Sequence, residues 1–328
     1  MIAKLASGIL SRDKTSVAAA LNLVEDRREV ARTQVAELLA AVKAGGRAAE
    51  GHRVGVTGPP GVGKSTLAAA LARALRSEGL TVGVVAVDPS SVRSGGSLLG
   101  DRARMNFDPA DAGLFVRSVA TAGESGGLSW ATHGAVAILG AAYDVVLVET
   151  TGVGQSETDV RHVADTVVLV IQPGSGDVLQ FLKAGVMEIP DLLVVNKADQ
   201  GDLAQKAVAD LRGALATALS AGAAEEISIT KASARTGEGI GPLIAALRSH
   251  RNSIEGALPA RRRAGEVAWT LQLFVRLHGE HGLRTLGGKT SVEDAAERAL
   301  GTSAPPQVCR DLSARYLAAL TQPTGHTS

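Results

Sequence analysis

Cysteine is nearly missing from this chain. Cys309 is its single thiol, so no disulfide can form within it and a reducing compartment is implied. Aromatic residues make up only 2% of the 328 positions. That scarcity argues against the stacking platforms used to bind single-stranded nucleic acid, and it leaves the core to Ala, Val, Leu and Ile. No apolar run approaches the ~20 residues a membrane helix needs. The opening "MIAKLASGILSRDK" holds an apolar stretch too short and too interrupted for a secretory signal. Neither sign of charge is in excess, with 34 Lys and Arg against 33 Asp and Glu, so no overall field favours DNA, RNA or an anionic membrane. A cytoplasmic protein with neither nucleic acid nor membrane as partner is expected.

What is present is a change of pattern along the chain. Residues 1–50 read as helical, with "SVAAALNLVED" and "REVARTQVAELLAAVKAG" carrying apolar positions three and four apart and Gly45-Gly46 as a stop. From residue 51 short β-branched runs appear: "HRVGVTG", "TVGVVAVD", "GLFVRSV", "DVVLVET", "TVVLVIQP", "LLVVNKAD" and the shorter "EISIT". Most are almost continuously apolar, as parallel strands covered on both faces should be. Helical patterns such as "KSTLAAALARALRSE" and "LAQKAVADLRGALATALSAG" alternate with them. The alternation predicts an α/β, doubly wound, mainly parallel sheet over residues 51–255. Beyond "LPARRRAG", over residues 256–328, only amphipathic helices are read, in "EVAWTLQLFVRLH" and "CRDLSARYLAALT", joined by a segment containing Gly-Gly and Pro-Pro. This tail is too small for a large core and is expected to pack on the main domain or on a second copy.

"GPPGVGKST" fits Gly-x-x-x-x-Gly-Lys-Ser, with Gly58, Gly63, Lys64 and Ser65 at the fixed positions, between a strand-like and a helix-like run. Gly58, Gly61, Val62 and Gly63 can turn successive backbone amides inward around phosphates. The helix that follows, including Thr66, adds its positive dipole end. Lys64 supplies charge to the outer phosphates and the Ser65 hydroxyl can ligate Mg²⁺.

"NKAD" follows another strand-like run. The Asp199 carboxylate can accept from guanine N1–H and the exocyclic amine, a donor pair adenine lacks. Asn196 would brace the loop and the Lys197 stem would lie over the base. In "ASAR" the Ser233 and Ala234 amides could donate to guanine O6, beside Arg235. In "VVLVETTGVG" Glu149 ends a strand, where it can reach Mg²⁺, and Gly152 can bring its amide to the γ-phosphate. Val153 stands where a water-positioning glutamine is common, leaving Gln155 as the nearby candidate and slow intrinsic hydrolysis as the expectation. Asp88 closes a strand, where α/β folds place ligands. Asp101, in "GGSLLGDRARM", reads equally as a loop charge, a helix cap or a metal contact.

Taken together, "GPPGVGKST", "DPSS…GGSLLGDRARM", "ETTGVGQSE", "NKAD" and the helical ends resemble the methylmalonyl-CoA mutase-associated GTPases, the MeaB/ArgK family. The resemblance implies the P-loop GTPase type of fold and a homodimer joined by the C-terminal helices. It also implies a GTP-hydrolysing chaperone that gates cofactor loading and protection of an adenosylcobalamin-dependent methylmalonyl-CoA mutase or related acyl-CoA mutase. Ser65, Asp88, Asp101 and Glu149 would surround the magnesium. "QPGSGDVLQFLKAGVMEIPD" resembles the family's additional switch, with Asp177, Gln180 and Lys183 as contacts. Val178 stands there where relatives commonly have glutamate. Read from the residues alone, Asp177 and Lys183 are equally a helix cap and a solvated lysine.

Three rivals remain at this stage. A metallochaperone GTPase needs clustered soft or imidazole ligands, whereas Cys309 is solitary and His278 and His281 sit far along the chain in "HGEH". A P-loop kinase would pass phosphate to a protein or small molecule. An interaction module would bind no nucleotide at all.

Overall fold

The computed structural model describes residues 1–45, 51–88, 107–108, 110–120, 128–152, 159–174, 190–220 and 227–321. It divides into two compact units, Ala48–Leu258 and the discontinuous pair Met1–Arg47 with Pro259–Ser328.

The first unit is built on seven strands: β1 (His52–Thr57), β2 (Val82–Asp88), β3 (Leu114–Ala120), β4 (Val145–Glu149), β5 (Thr166–Ile171), β6 (Leu192–Val195) and β7 (Ser228–Lys231). All neighbours among them run parallel, in the order β3-β2-β4-β1-β5-β6-β7. Every β-branched run named above is one of these strands, and the doubly wound parallel sheet is the observed fold. Parallel neighbours need crossovers. Four helices among the described residues follow strands here: α4 (Lys64–Ser77), α5 (Trp130–Ala142), α6 (Asp202–Ser220) and α7 (Ile240–Ser253).

Successive residues of a strand serve opposite faces. Val168, Val170, Leu192 and Val194 join one core with Leu67, Leu71 and Leu75 of α4 and Leu243 and Leu247 of α7. Their alternates Leu169, Ile171, Leu193 and Val195 join another with Ala204, Val208 and Leu211 of α6. Apolar demand on both faces explains why these strands show no polar alternation. α5 is buried along nearly its whole length, which flattens its amphipathic pattern. Ser129 caps it, its Oγ accepting from the Thr132 amide at 3.4 Å.

The second unit consists of helices: α1 (Ile2–Leu10), α2 (Lys14–Glu25) and α3 (Glu29–Ala44) from the N-terminus, α8 (Leu258–Thr285), α9 (Lys289–Ala299) and α10 (Pro305–Thr321) from the C-terminus. Asp13 caps α2 through Oδ2 and the Ser16 amide, 2.8 Å apart. α3 stops at Gly45, as its sequence predicts. The linking segment with Gly-Gly and Pro-Pro contains a helix of its own: α9 starts after Gly288, and Pro305 opens α10, where a missing amide costs nothing. The C-terminal tail packs on the N-terminal helices, with Arg310 Nη1 donating to Thr33 Oγ1 at 2.7 Å. α8 is broken at Gly279, φ 59° and ψ −163°. His278 Nε2 lies 2.8 Å from Ser313 Oγ and His281 Nδ1 lies 3.0 Å from Tyr316 Oη, so both imidazoles tie α8 to α10. Cys309 is buried on α10, and burial pushes its thiol up to about 11, which leaves it protonated and inert. No helix of the described residues is long and apolar enough to cross a membrane.

Candidate nucleotide-binding site

β1 is central, flanked by β4 on one side and β5 on the other. Its carboxyl end is therefore a switch point, the place where open α/β sheets form a ligand crevice. The loop 58–63 leaves that end and α4 begins at Lys64. Gly58, Gly61 and Gly63 all have positive φ, at 138°, 78° and 94°.

Lys64 is 6% exposed, and its Nζ donates to the carbonyls of Gly58 at 2.7 Å and Pro59 at 2.9 Å. The loop thus curls around its own ammonium. Val62 is buried, while Gly61 and Thr66 are exposed around the mouth of the loop. Ser65 Oγ donates to Glu149 Oε1 at 2.5 Å, and Glu149 is itself buried. Glu149 ends β4 opposite Val56 of β1 and Ala86 of β2. Asp88 ends β2 two residues beyond that rung, opposite Ala120. The strand ends therefore bring Ser65, Glu149 and Asp88 to one edge of the sheet, with the Asp88 side chain outside the description. Asp101, Gln155, Asp177, Gln180 and Lys183 also lie outside the described residues.

Gly152, with φ 77°, covers the lysine. A Cβ there would sit 2.2 Å from both Lys64 Nζ and the Gly58 carbonyl, so only glycine permits this approach. Gly63 answers to a different neighbour. Its Cβ would lie 2.6 Å from Asn196 Nδ2, so glycine here lets the phosphate loop and the "NKAD" loop touch.

Asn196 fixes that contact, donating from Nδ2 to the Val62 carbonyl at 2.8 Å and accepting at Oδ1 from the Ala234 amide at 3.2 Å. Lys197 adopts the left-handed conformation, φ 59°, uncommon outside glycine and typical of functional turns. Its Nζ donates to the Gly61 carbonyl at 3.2 Å and to Gln172 Oε1. Gln172 directly follows β5 and was not singled out from the sequence, because a glutamine after a strand carries no local signature. Asp199 receives Ser233 Oγ at 2.6 Å on Oδ1 and Arg235 Nη2 at 2.7 Å on Oδ2. The Ser233 hydroxyl above all, with Arg235, holds its carboxyl below the usual carboxylate range. The Ser233 amide, expected to donate to guanine O6, instead donates to the Glu238 carbonyl at 2.8 Å. Serine enters this loop through its hydroxyl, because the 233–238 turn consumes its N–H.

A glycine loop curled around Lys64 and a serine-braced aspartate loop therefore meet through Asn196 at the carboxyl end of the sheet. The family model described as methylmalonyl-CoA mutase-associated GTPase MeaB matches residues 17–279. The chain belongs to this family. A Mycobacterium tuberculosis GTPase is 40% identical over 274 residues, covering 82% of this chain and 81% of that protein. The mouse protein named methylmalonic aciduria type A homolog, mitochondrial, is 36% identical over 292 residues, covering 85% and 70%. A Pyrococcus horikoshii GTPase is 51% identical over 189 residues, covering 57% of this chain. The match spans 58% of that relative's length, and 60% of a Pyrococcus abyssi one. Among solved structures, one named LAO/AO transport system kinase superposes with a TM-score of 0.63 at 28% identity, over 96% of this chain and 97% of that one. The MeaB-family assignment agrees with the resemblance carried by the sequence motifs, and the fold is that of a P-loop GTPase.

Proposed function

We propose that this chain binds GTP with Mg²⁺, hydrolyses it to GDP and phosphate, and uses that cycle to gate cofactor loading and protection of an adenosylcobalamin-dependent methylmalonyl-CoA mutase. The observation that carries the nucleotide half is the convergence of Lys64, the Ser65–Glu149 pair and the Asp199–Ser233 pair on the carboxyl end of one parallel sheet. Lys64 would exchange its two loop carbonyls for β- and γ-phosphate oxygens and offset the charge that accumulates there during water attack. Gly152 leaves room for the γ-phosphate to meet a backbone amide. Asp199 selects guanine, with Ser233 keeping the carboxylate oriented and ionised, Asn196 joining base loop to phosphate loop, and Lys197 lying along the base.

The donor set suits magnesium, a hard cation that takes few protein oxygens beside phosphate. A buried carboxylate and a hydroxyl already meet at 2.5 Å, and Ser65, Glu149 and Asp88, with Asp101, would hold the ion. Its chemistry there is to neutralise charge on the β- and γ-phosphate oxygens. Gln155 is the proposed water-positioning residue, and Asp177, Gln180 and Lys183 the proposed relay to the mutase. The family's description supports the mutase as partner. A homodimer through the C-terminal helices and a cytoplasmic location complete the reading.

Calorimetry with GTP, GDP and ATP in magnesium buffer tests the nucleotide half. Tight guanine binding that Lys64→Ala abolishes is expected, and no guanine uptake overturns the reading. Capture of methylmalonyl-CoA mutase that differs between GTP- and GDP-loaded protein tests the partner half. The kinase name of a structural relative favours one rival, phosphate transfer to an acceptor. γ-Labelled GTP decides it, because hydrolysis delivers all label to water as free phosphate.

A further inference from the structure

Two threonines given no role above stand between the loops just described. Thr57 ends β1 immediately before Gly58, and Thr150 follows Glu149 at the end of β4. The β1–β4 ladder runs from His52 opposite Val145 to Val56 opposite Glu149, and the Thr150 amide still reaches the Val56 carbonyl at 3.1 Å. Beyond that bond the chains part, one into the phosphate loop and the other toward Gly152. The next rung is made by side chains: Thr150 Oγ1 donates to Thr57 Oγ1 at 3.0 Å. The two residues are 2% and 1% exposed.

Around them β1 and β4 are built of buried valine, at Val54, Val56, Val145, Val146 and Val148. Valine has threonine's shape without a hydroxyl to desolvate, so two buried hydroxyls give up packing stability unless their bond has a use. The bond fixes the spacing of two strand exits that carry Gly58 on one side and Glu149 and Gly152 on the other. Misplacement of reacting groups by about 1 Å can cost on the order of 100-fold in rate, whereas nucleotide affinity, spread over many amides, tolerates such a shift far better.

We infer that Thr57 and Thr150 are positioning residues that hold Glu149 and Gly152 in register with the phosphate loop. Their hydroxyls bond to each other, so they act through their neighbours. The inference rests on the GTPase reading above and concerns the metal-linked step within it.

The experiment compares Thr57→Val, Thr150→Val and both together with Thr57→Ser and Thr150→Ser, reading three quantities in each. These are kcat for GTP hydrolysis, the magnesium concentration giving half-maximal rate, and GDP affinity in the absence of magnesium. In the valine variants we expect kcat to fall about tenfold and the magnesium requirement to rise several-fold, while magnesium-free GDP affinity stays within about twofold. The double variant should fall little further than either single, since both remove one bond. The serine variants should restore wild-type values. Thermal melts confirm that the valine proteins fold, and Thr150→Ala, with the same expectation, replaces any that does not. Valine variants matching wild type in rate and magnesium requirement overturn the inference. So does a parallel loss of rate, magnesium response and GDP affinity, which marks a general structural role. A wild-type protein that binds no guanine nucleotide overturns the GTPase reading, and this inference with it.

Discussion

Gly152 is the residue on which the most geometry converges. In Gly152→Ala the new methyl meets the flexible tip of Lys64, which can move, and the backbone carbonyl of Gly58, which cannot. The positive φ of 77° adds strain for any residue with a Cβ. Single-turnover hydrolysis by this variant is expected to fall at least about tenfold, with binding of GDP, which lacks the γ-phosphate, reduced much less. At the base end, Asp199 and Arg235 make opposite predictions. Asp199→Ala should erase the preference for GTP over ATP in competition binding, because the acceptor for two guanine donors is gone. Arg235 holds the same carboxylate but is 79% exposed, so solvent screens the pair. Arg235→Ala should change GDP affinity by less than about threefold in calorimetry. If the two variants behave alike, the base-recognition role of Asp199 is wrong.

Among the elements, α5 carries a measurable electrostatic signature. His133 lies on it, buried, and burial, helped by His162 and Arg53, lowers its pKa to about 3. His162 is lowered too, chiefly by burial. Above the ordinary histidine value both states of the chain hold these rings neutral, and the full stability is present. As pH falls below about 6.5 the unfolded chain takes up protons that the folded chain refuses, so stability drops. The loss approaches about 1.4 kcal/mol per pH unit for His133 and continues down toward its folded pKa. Urea midpoints measured at pH 7.5 and 5.5 should therefore separate, and His133→Gln should narrow the gap. The cap of α5 gives a second test. The Ser129 hydroxyl is 1% exposed and serves the Thr132 amide, so Ser129→Ala should cost about 1 kcal/mol in the same denaturation assay.

Across the whole molecule, a net charge of +1 conceals a partition. The helical unit carries 17 lysines and arginines against 11 acids, and the nucleotide unit carries 17 against 22. Their formal charges are thus +6 and −5. Arg27 and Arg32 lie close enough to Arg276 that, after burial, their charges help lower its pKa. A uniform chain of this net charge would bind ion exchangers weakly. This one is expected to be retained on both anion and cation exchangers at low ionic strength and released from each as salt approaches about 0.2 M, where the Debye length is under about 8 Å. Arg27→Glu with Arg32→Glu should shorten retention on the cation exchanger alone.

The strands and the phosphate loop were legible in the sequence because their determinants are local. Valine runs covered on both faces, and glycines where the backbone turns through positive φ, leave a mark that needs no knowledge of distant residues. Asn196, Lys197 and Asp199 were legible for the same reason, as one turn after one strand. Three features escaped local reading. α9 was hidden by the Gly-Gly and Pro-Pro that bound it, α5 by burial on all sides, and the Ser233 amide by a turn that closes five residues later. What tertiary structure alone decided were contacts across long separations. The N- and C-terminal helices form one compact unit, Gly63 makes room for Asn196, Lys197 reaches Gln172, and Thr57 meets Thr150. The sequence by itself determined which segments become strands, helices and glycine turns, since backbone preference and burial act over a few residues. Strand order determined which strand ends became neighbours, because a hydrogen bond spanning about ninety residues depends only on where the sheet brings its two ends.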